Sequence, residues 1–152
     1  MSVLNKILFP SKNESNSFSL FLLSLRILFG VLLLSHGLQK WTGYSVMSAS
    51  FPDPLGVGSP VSLGLAIFGE VVCSVGFIFG FLYRLAMIPM IFTMGVAYFV
   101  VHANDPFGAK ELAFVYLIVF LLMYIAGAGK YSIDHIIQSG IARKNRRRYG
   151  RE

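Results

Sequence analysis

The sequence is short of charge. Only 13% of its 152 residues are Asp, Glu, Lys or Arg, whereas a soluble domain carries about 25%. Long stretches hold almost no charge, and the charged residues collect at the ends and in short connectors. A bilayer core penalises each charge by a few kcal/mol, so this distribution is typical of a membrane protein. The length fits one domain and argues against a separate soluble domain.

Cysteine and acidic residues are also scarce. The single cysteine, Cys73, excludes an intramolecular disulfide and argues against thiol–disulfide catalysis within this chain. Thirteen basic residues against seven acidic ones give a net charge of +6. Most of the excess lies in a C-terminal tail that follows apolar sequence. We therefore expect contact with anionic lipid headgroups, and no nucleic-acid partner.

Four long apolar runs stand out between the polar segments, and each fits the roughly 17–25 residues that a helix needs to cross a bilayer. The alternating polarity of membrane β-strands is missing from them. The sequence therefore predicts an all-α, integral membrane four-helix antiparallel bundle. The expected spans are about 18–38, 60–81, 85–101 and 111–128.

Polar segments flank the predicted transmembrane domain, 18–129, on both sides. Residues 1–17 form a polar N-terminus, and residues 130–152 form an interfacial segment and a basic tail. Within the interfacial segment, Asp134 and His135 are expected to face water.

Lysine and arginine are unevenly divided between the two sides of the predicted bundle. With four spans both termini share one side, which would hold ten of the thirteen basic residues, and the other side would hold only Lys40 and Lys110. The positive-inside rule then predicts that both termini are cytoplasmic.

Arg26 and Glu70 are charged residues inside the predicted first and second spans. Counted from the cytoplasmic ends of their helices, they lie at depths of roughly 12 Å and 16 Å. The similar depths predict an ion pair between neighbouring helices. Two interpretations stay open: a structural pair that fixes helix register, or a ligand or proton site.

A second polar group lies at the opposite ends of the spans. His36 and Lys40 are one turn apart on the first helix, His102 ends the third span, and Glu111 opens the fourth. We expect them to surround one outward-facing mouth, with His36 and His102 close together. The alternative is that each side chain reaches the interface separately. The two histidines match no metal or haem motif, so no metal is expected, and no catalytic residue can be assigned.

The ordered motifs of the chain resemble those of the DoxX family over about residues 20–135. The first-helix pattern includes Arg26, Gly30 and the run Ser35–Trp41, and the following loop contains Phe51-Pro52-Asp53-Pro54-Leu55-Gly56. Later matches are Gly69-Glu70, Gly76, Gly80, Arg84, Ala97, His102, Lys110–Ala113, Gly127-Ala128-Gly129 and Ser132–Asp134. Relatives commonly have Gly-Pro-Gly where this chain has Gly127-Ala128-Gly129.

The resemblance implies a four-helix protein of the bacterial plasma (inner) membrane, related to the small membrane subunit of thiosulfate:quinone oxidoreductase. It further implies a redox-associated subunit with no cofactor motif of its own, which binds a quinone or supports a membrane or soluble oxidoreductase partner. His36, Lys40 or His102 could donate hydrogen bonds to quinone carbonyls.

Two other function classes stay open, as do enzymatic activity and self-association. One is a non-enzymatic membrane scaffold or assembly factor. The other is a small-solute or lipid carrier, although four helices without a visible inverted repeat are few for alternating access.

Overall fold

The computed structural model describes residues 15–149, with side chains up to residue 144. Most of the expected polar N-terminus and the end of the basic tail lie outside the described residues. The described chain is helical and contains no strand, which confirms the all-α class. Its six helices are α1 (Asn16–Thr42), α2 (Tyr44–Met47), α3 (Ser59–Phe79), α4 (Tyr83–Val101), α5 (Phe107–Ala126) and α6 (Ile133–Tyr149).

Helices α1, α3, α4 and α5 are each long and apolar enough to cross a membrane. They form the bundle, and successive spanning helices run in opposite directions. We call the end that carries the start of α1, the α3–α4 turn and α6 the proximal end. The other end, where α1 finishes and α3 begins, is the distal end.

Local sequence signals set the helix ends. Ser15 precedes α1 and its side chain accepts a hydrogen bond from the Phe18 N–H, which satisfies a free donor of the first turn. Pro60 lies in the first turn of α3, where its missing N–H does no harm. Gly80 ends α3 in the left-handed conformation with φ 64°, which glycine adopts without a steric penalty.

The proximal half of the bundle holds the apolar core. The Phe77 ring of α3 stacks on Tyr83 of α4 at 5.6 Å and meets Phe120 of α5 edge-on at 5.4 Å. Met87 and Met90 of α4 are fully buried beside them. These contacts hold α3, α4 and α5 together at the proximal end. The distal half contains the cavity described below.

Glycines set the register between α1 and α3. A Cβ at Gly30 would collide with the Ile78 side chain, and a Cβ at Gly37 would lie 2.8 Å from the Cβ of Glu70. Small residues at such positions let two helix backbones approach closely. The register places Gly37 beside Glu70 and leaves Arg26 at the level of Gly80.

Two spanning helices contain a π-helical turn. The turn in α3 covers Phe68–Val72, and the turn in α4 covers Ala97–Val101. Single π-helical turns inside α-helices are rare and are frequently found at functional sites. Both turns line the cavity described below.

Candidate functional site

An ion pair joins the last turn of α1 to the π-helical turn of α3. The Lys40 ammonium nitrogen lies 2.5 Å from a carboxylate oxygen of Glu70. The Glu70 side chain is only 4% exposed, whereas that of Lys40 is 25% exposed. A buried carboxylate in a spanning helix needs such a partner, and Lys40 supplies it.

The prediction that Arg26 pairs with Glu70 is wrong. The similar depths hold only if α1 starts at the same membrane plane at which α3 ends. In the structure α1 starts well beyond the end of α3, and its first turns pack against Lys130 and Gly129, which follow α5. Arg26 is therefore level with Gly80, ten residues from Glu70 along α3.

Arg26 instead belongs to the segment that follows α5. Its guanidinium is fully buried, donates a hydrogen bond to the backbone carbonyl of Tyr131 and interacts electrostatically with Asp134. A Cβ at Gly80 would collide with this guanidinium and with Ser132. Arg26 thus fastens the closing segment to the proximal end of the bundle.

The expectation that Asp134 faces water is also wrong. Its carboxylate accepts hydrogen bonds from the backbone N–H groups of Leu82 and Tyr83, both at 2.9 Å, and the residue is buried. It caps the start of α4 from a distant part of the sequence, since the first N–H groups of a helix have no partner within the helix. His135 is exposed as expected.

A cavity of about 580 Å³ lies in the distal half, between α1, α3, α4 and the loop that follows α2. This volume falls within the roughly 300–1,000 Å³ typical of small-molecule sites. Thirteen of its eighteen described lining residues are apolar or proline. The polar members are Lys40, Ser62, Glu70, Thr93 and His102.

The side walls of the cavity lie within the membrane-spanning helices. Leu65 and Phe68 of α3 and Ile88 and Phe92 of α4 line it and are about half exposed. Because these half-exposed residues lie within spanning segments, we infer that the cavity opens toward the lipid between α3 and α4.

The polar groups sit at two levels of the cavity. Gly69, next to Glu70, packs against Thr93 of α4, and His102, which directly follows α4, lies nine residues after Thr93. At 1.5 Å per residue the two levels are roughly 13 Å apart. The Lys40–Glu70 pair therefore marks the deep end of the cavity and His102 its distal rim, where the imidazole contacts Asp105 at 2.7 Å.

The loop after α2 covers the distal side of the cavity with Phe51, Pro52, Pro54 and Leu55. Asp53 fixes this loop by accepting hydrogen bonds from the Ser62 hydroxyl at 2.6 Å and from two backbone N–H groups, those of Val57 and Gly58. The Ser62 hydroxyl and the Gly58 N–H, which stabilise the charged carboxylate, hold the pKa of Asp53 below its usual value.

The structure brings together three of the predicted site residues, Lys40, Glu70 and His102. His36 lies outside the described lining. Its ring meets Tyr116 of α5 edge-on at 6.2 Å, which places His36 against α5, whereas His102 follows the end of α4 at the cavity. The expected closeness of the two imidazoles stays a prediction.

Glu111 is exposed in the first turns of α5 and lies outside the described cavity lining, so its expected place at the mouth stays a prediction. Among the described residues no group of three or more His, Cys, Asp and Glu side chains is placed to hold a metal ion. The arrangement can instead hold an apolar molecule and present charged and imidazole donors to its polar atoms.

Several cavity residues were not singled out from the sequence. Phe92 and Thr93 carry no motif, and their role follows only from packing. The Pro- and Gly-rich stretch 51–56 did carry a signal, because a long connector with this composition inside a compact membrane protein is frequently functional.

Comparisons with known proteins agree with this architecture. The DoxX family model matches residues 21–103, more than half of the chain. Inner membrane protein YqjF of Escherichia coli strain K12 is 34% identical, over 74% of this chain and 88% of the relative. An uncharacterized protein of Haemophilus influenzae is 26% identical, over 77% of this chain and 83% of the relative. No solved structure matches the chain. The chain is a membrane protein and belongs to the DoxX family.

Proposed function

We propose that this protein binds a quinone in the cavity between α3 and α4 and serves as the quinone-binding subunit of an electron-transfer assembly. One observation carries the proposal: an apolar cavity of about 580 Å³ within the spanning helices has cationic and imidazole donors at its two ends. A quinone has matching chemistry, with an apolar ring and tail and two carbonyl acceptors.

The residues present fit such a ligand. The Lys40 ammonium and the His102 imidazole would donate hydrogen bonds to the carbonyl oxygens, and aromatic walls such as Phe68 and Phe92 would contact the ring. An isoprenoid tail would leave through the lateral opening into the bilayer. The bound quinone would supply two-electron, two-proton redox chemistry.

The electrons would come from a membrane or soluble oxidoreductase partner, and no residue of this chain is assigned as catalytic. A scaffold that only holds a bundle together has no need for a laterally open cavity. A lipid carrier would share the opening, but the charged pair at the deep end favours a ligand with polar acceptors over a plain acyl chain.

Binding can be followed with the single tryptophan, Trp41, which neighbours Lys40 and whose fluorescence a quinone quenches on contact. The detergent-purified protein is titrated with a short-chain ubiquinone analogue. We expect saturable quenching, weakened at least several-fold in Lys40→Met and in His102→Leu. His102→Leu leaves the Lys40–Glu70 pair intact, so its effect separates ligand binding from stability.

Lys130→Met is the matched control, because Lys130 contacts Asn16 at the proximal end, far from the cavity. Its titration should equal that of the unaltered protein. Quenching that rises linearly without saturation, or that is unchanged in both cavity variants, would overturn the proposal.

We also propose that the protein lies in the bacterial inner membrane with both termini cytoplasmic. The ten-to-two division of lysine and arginine supports this orientation. With Cys73 replaced by alanine, cysteines at Ser50 and Ser139 should react with a membrane-impermeant reagent from opposite sides, Ser50 from outside. Labelling of both from one side would contradict it.

A further inference from the structure

Helix α6 leaves the bundle at the proximal membrane boundary. It begins seven residues after α5 ends, and Asp134 in its first turn is bonded to the N–H groups of Leu82 and Tyr83, where α4 begins. Because α4 is a spanning helix, its start marks the edge of the apolar layer. The first turn of α6 is therefore fixed at that edge.

An apolar stripe runs along the first half of α6. Ile133, Ile136, Ile137 and Ile141 are all exposed, between 37% and 67%. At 100° per residue they fall within an arc of roughly 140°. His135 lies on the opposite side of the helix and is exposed too. A helix with an exposed apolar stripe and a polar back is typical of segments that lie in a membrane interface.

Positive charge follows the stripe. Arg143 and Lys144 are exposed on α6, and six of the last ten residues of the sequence are Arg or Lys against a single acidic residue, Glu152. Basic clusters directly beside a spanning helix attract anionic lipid headgroups. The apolar stripe and the positive charge of α6 thus both favour contact with an anionic membrane surface.

We propose that α6 is a docking helix for anionic phospholipids of the leaflet at the proximal end. The isoleucine stripe inserts at the boundary of the apolar layer, and Arg143 and Lys144 contact lipid phosphates. The anchoring of Asp134 at the membrane edge favours lipid over a soluble partner, since it holds the stripe where headgroups are already present. This inference does not depend on quinone binding.

The test uses the full chain in nanodiscs, with Cys73→Ala and a cysteine at Ile136 that carries an environment-sensitive fluorophore. Nanodiscs of phosphatidylcholine alone are compared with nanodiscs containing phosphatidylglycerol. We expect the probe to shift to the blue and to be shielded from a neutral aqueous quencher only when phosphatidylglycerol is present. Raised salt should reverse the shift.

Two matched variants complete the design. The same fluorophore at His135→Cys should stay accessible to the quencher in both membranes. Replacing Arg143 and Lys144 by Gln should lower the equilibrium constant for docking, measured with the probe at position 136, roughly fivefold per charge and about 25-fold together. Because both residues are exposed, we expect the double replacement to leave the fold intact.

Three outcomes would overturn the proposal. One is equal shielding at position 136 in neutral and anionic nanodiscs, which would mean apolar insertion without recognition of charge. Another is equal quencher access at positions 135 and 136 in both membranes. The last is shielding that appears only when two copies share a nanodisc, which would assign the stripe to a second copy of the chain.

Discussion

Lys40 and Glu70 form a 2.5 Å ion pair between the last turn of α1 and the π-helical turn of α3. The pair sits directly beside Gly37, where a Cβ would lie 2.9 Å from the α3 backbone. It also closes the deep end of the lipid-facing cavity. The contact between the two helices and the polarity of the cavity therefore involve the same two side chains.

Breaking this pair should destabilise the protein. Lys40→Met leaves the buried Glu70 carboxylate without a partner, and we expect a loss of about 3 kcal/mol, the low end for a broken buried pair, because Lys40 is partly exposed. The double variant Lys40→Met with Glu70→Leu should lose less than the sum of its single changes. Chemical unfolding in detergent measures all three, with Lys130→Met expected to change stability by less than about 1 kcal/mol. Strict additivity would show that the pair is not coupled.

Arg26 should be energetically independent of Glu70 and coupled to Asp134. Arg26→Leu and Glu70→Leu remove side chains about ten residues apart along the bundle, so their effects on unfolding should add within about 0.5 kcal/mol. Arg26→Leu and Asp134→Asn disturb one shared network and should deviate from additivity by more than that. Double-mutant cycles on the free energy of unfolding in detergent measure both couplings. Coupling of Arg26 to Glu70 would refute the register described above.

Gly37→Ala should force α1 and α3 apart. The added methyl would lie 2.9 Å from the backbone carbonyl carbon of Glu70, which cannot move without shifting the helix, and overpacking of this kind costs about 1–3 kcal/mol. Gly64→Ala is the matched control, since a Cβ there meets nothing within 4 Å and alanine favours a helix by up to about 1 kcal/mol. In thermal unfolding, Gly37→Ala should melt at a lower temperature than the unaltered protein and Gly64→Ala at a higher one. Equal effects would contradict the close approach.

The loop over the cavity should respond to acid through Asp53. Hydrogen bonds from Ser62 and Gly58 lower the pKa of this carboxyl. The stabilisation that the charged Asp53 carboxylate gives the folded protein is therefore fully present above the ordinary pKa of aspartate, about 3.9. It is lost as the pH falls through the lower pKa that Asp53 has in the folded protein. Carbon-13 NMR titration of Asp53 in micelles measures that value, and Ser62→Ala should raise it. An unchanged pKa in Ser62→Ala would show that the hydroxyl does not act on the carboxylate.

Much of the architecture can be predicted from the long apolar runs. Each run is long enough to span a bilayer, and α4 ends at Val101, where the run was expected to end. Helix α1 continues to Thr42, a turn beyond the run that ends at Leu38, because Gln39 and Lys40 are good helix formers although they are polar.

The candidate site is harder to predict, because it depends on register. The sequence picks out Lys40, Glu70 and His102 as unusual, but Glu70 could have paired with either cation until the glycine contacts fixed α1 against α3. The π-helical turns at Phe68–Val72 and Ala97–Val101 leave no trace in the periodicity of such uniformly apolar runs. The capping role of Asp134 depends on a contact 51 residues away in sequence, which no local pattern shows.

Photolabelling with a quinone that carries an azide tests the central claim most directly. The protein is labelled in lipid nanodiscs, and the modified peptides are mapped by mass spectrometry with and without an excess of unlabelled quinone. The account predicts labels on the cavity walls, within residues 51–70 and 88–102, that disappear when unlabelled quinone competes. Labels spread over the lipid-facing side of α5, or labels at the cavity that competition does not reduce, would contradict a quinone site between α3 and α4.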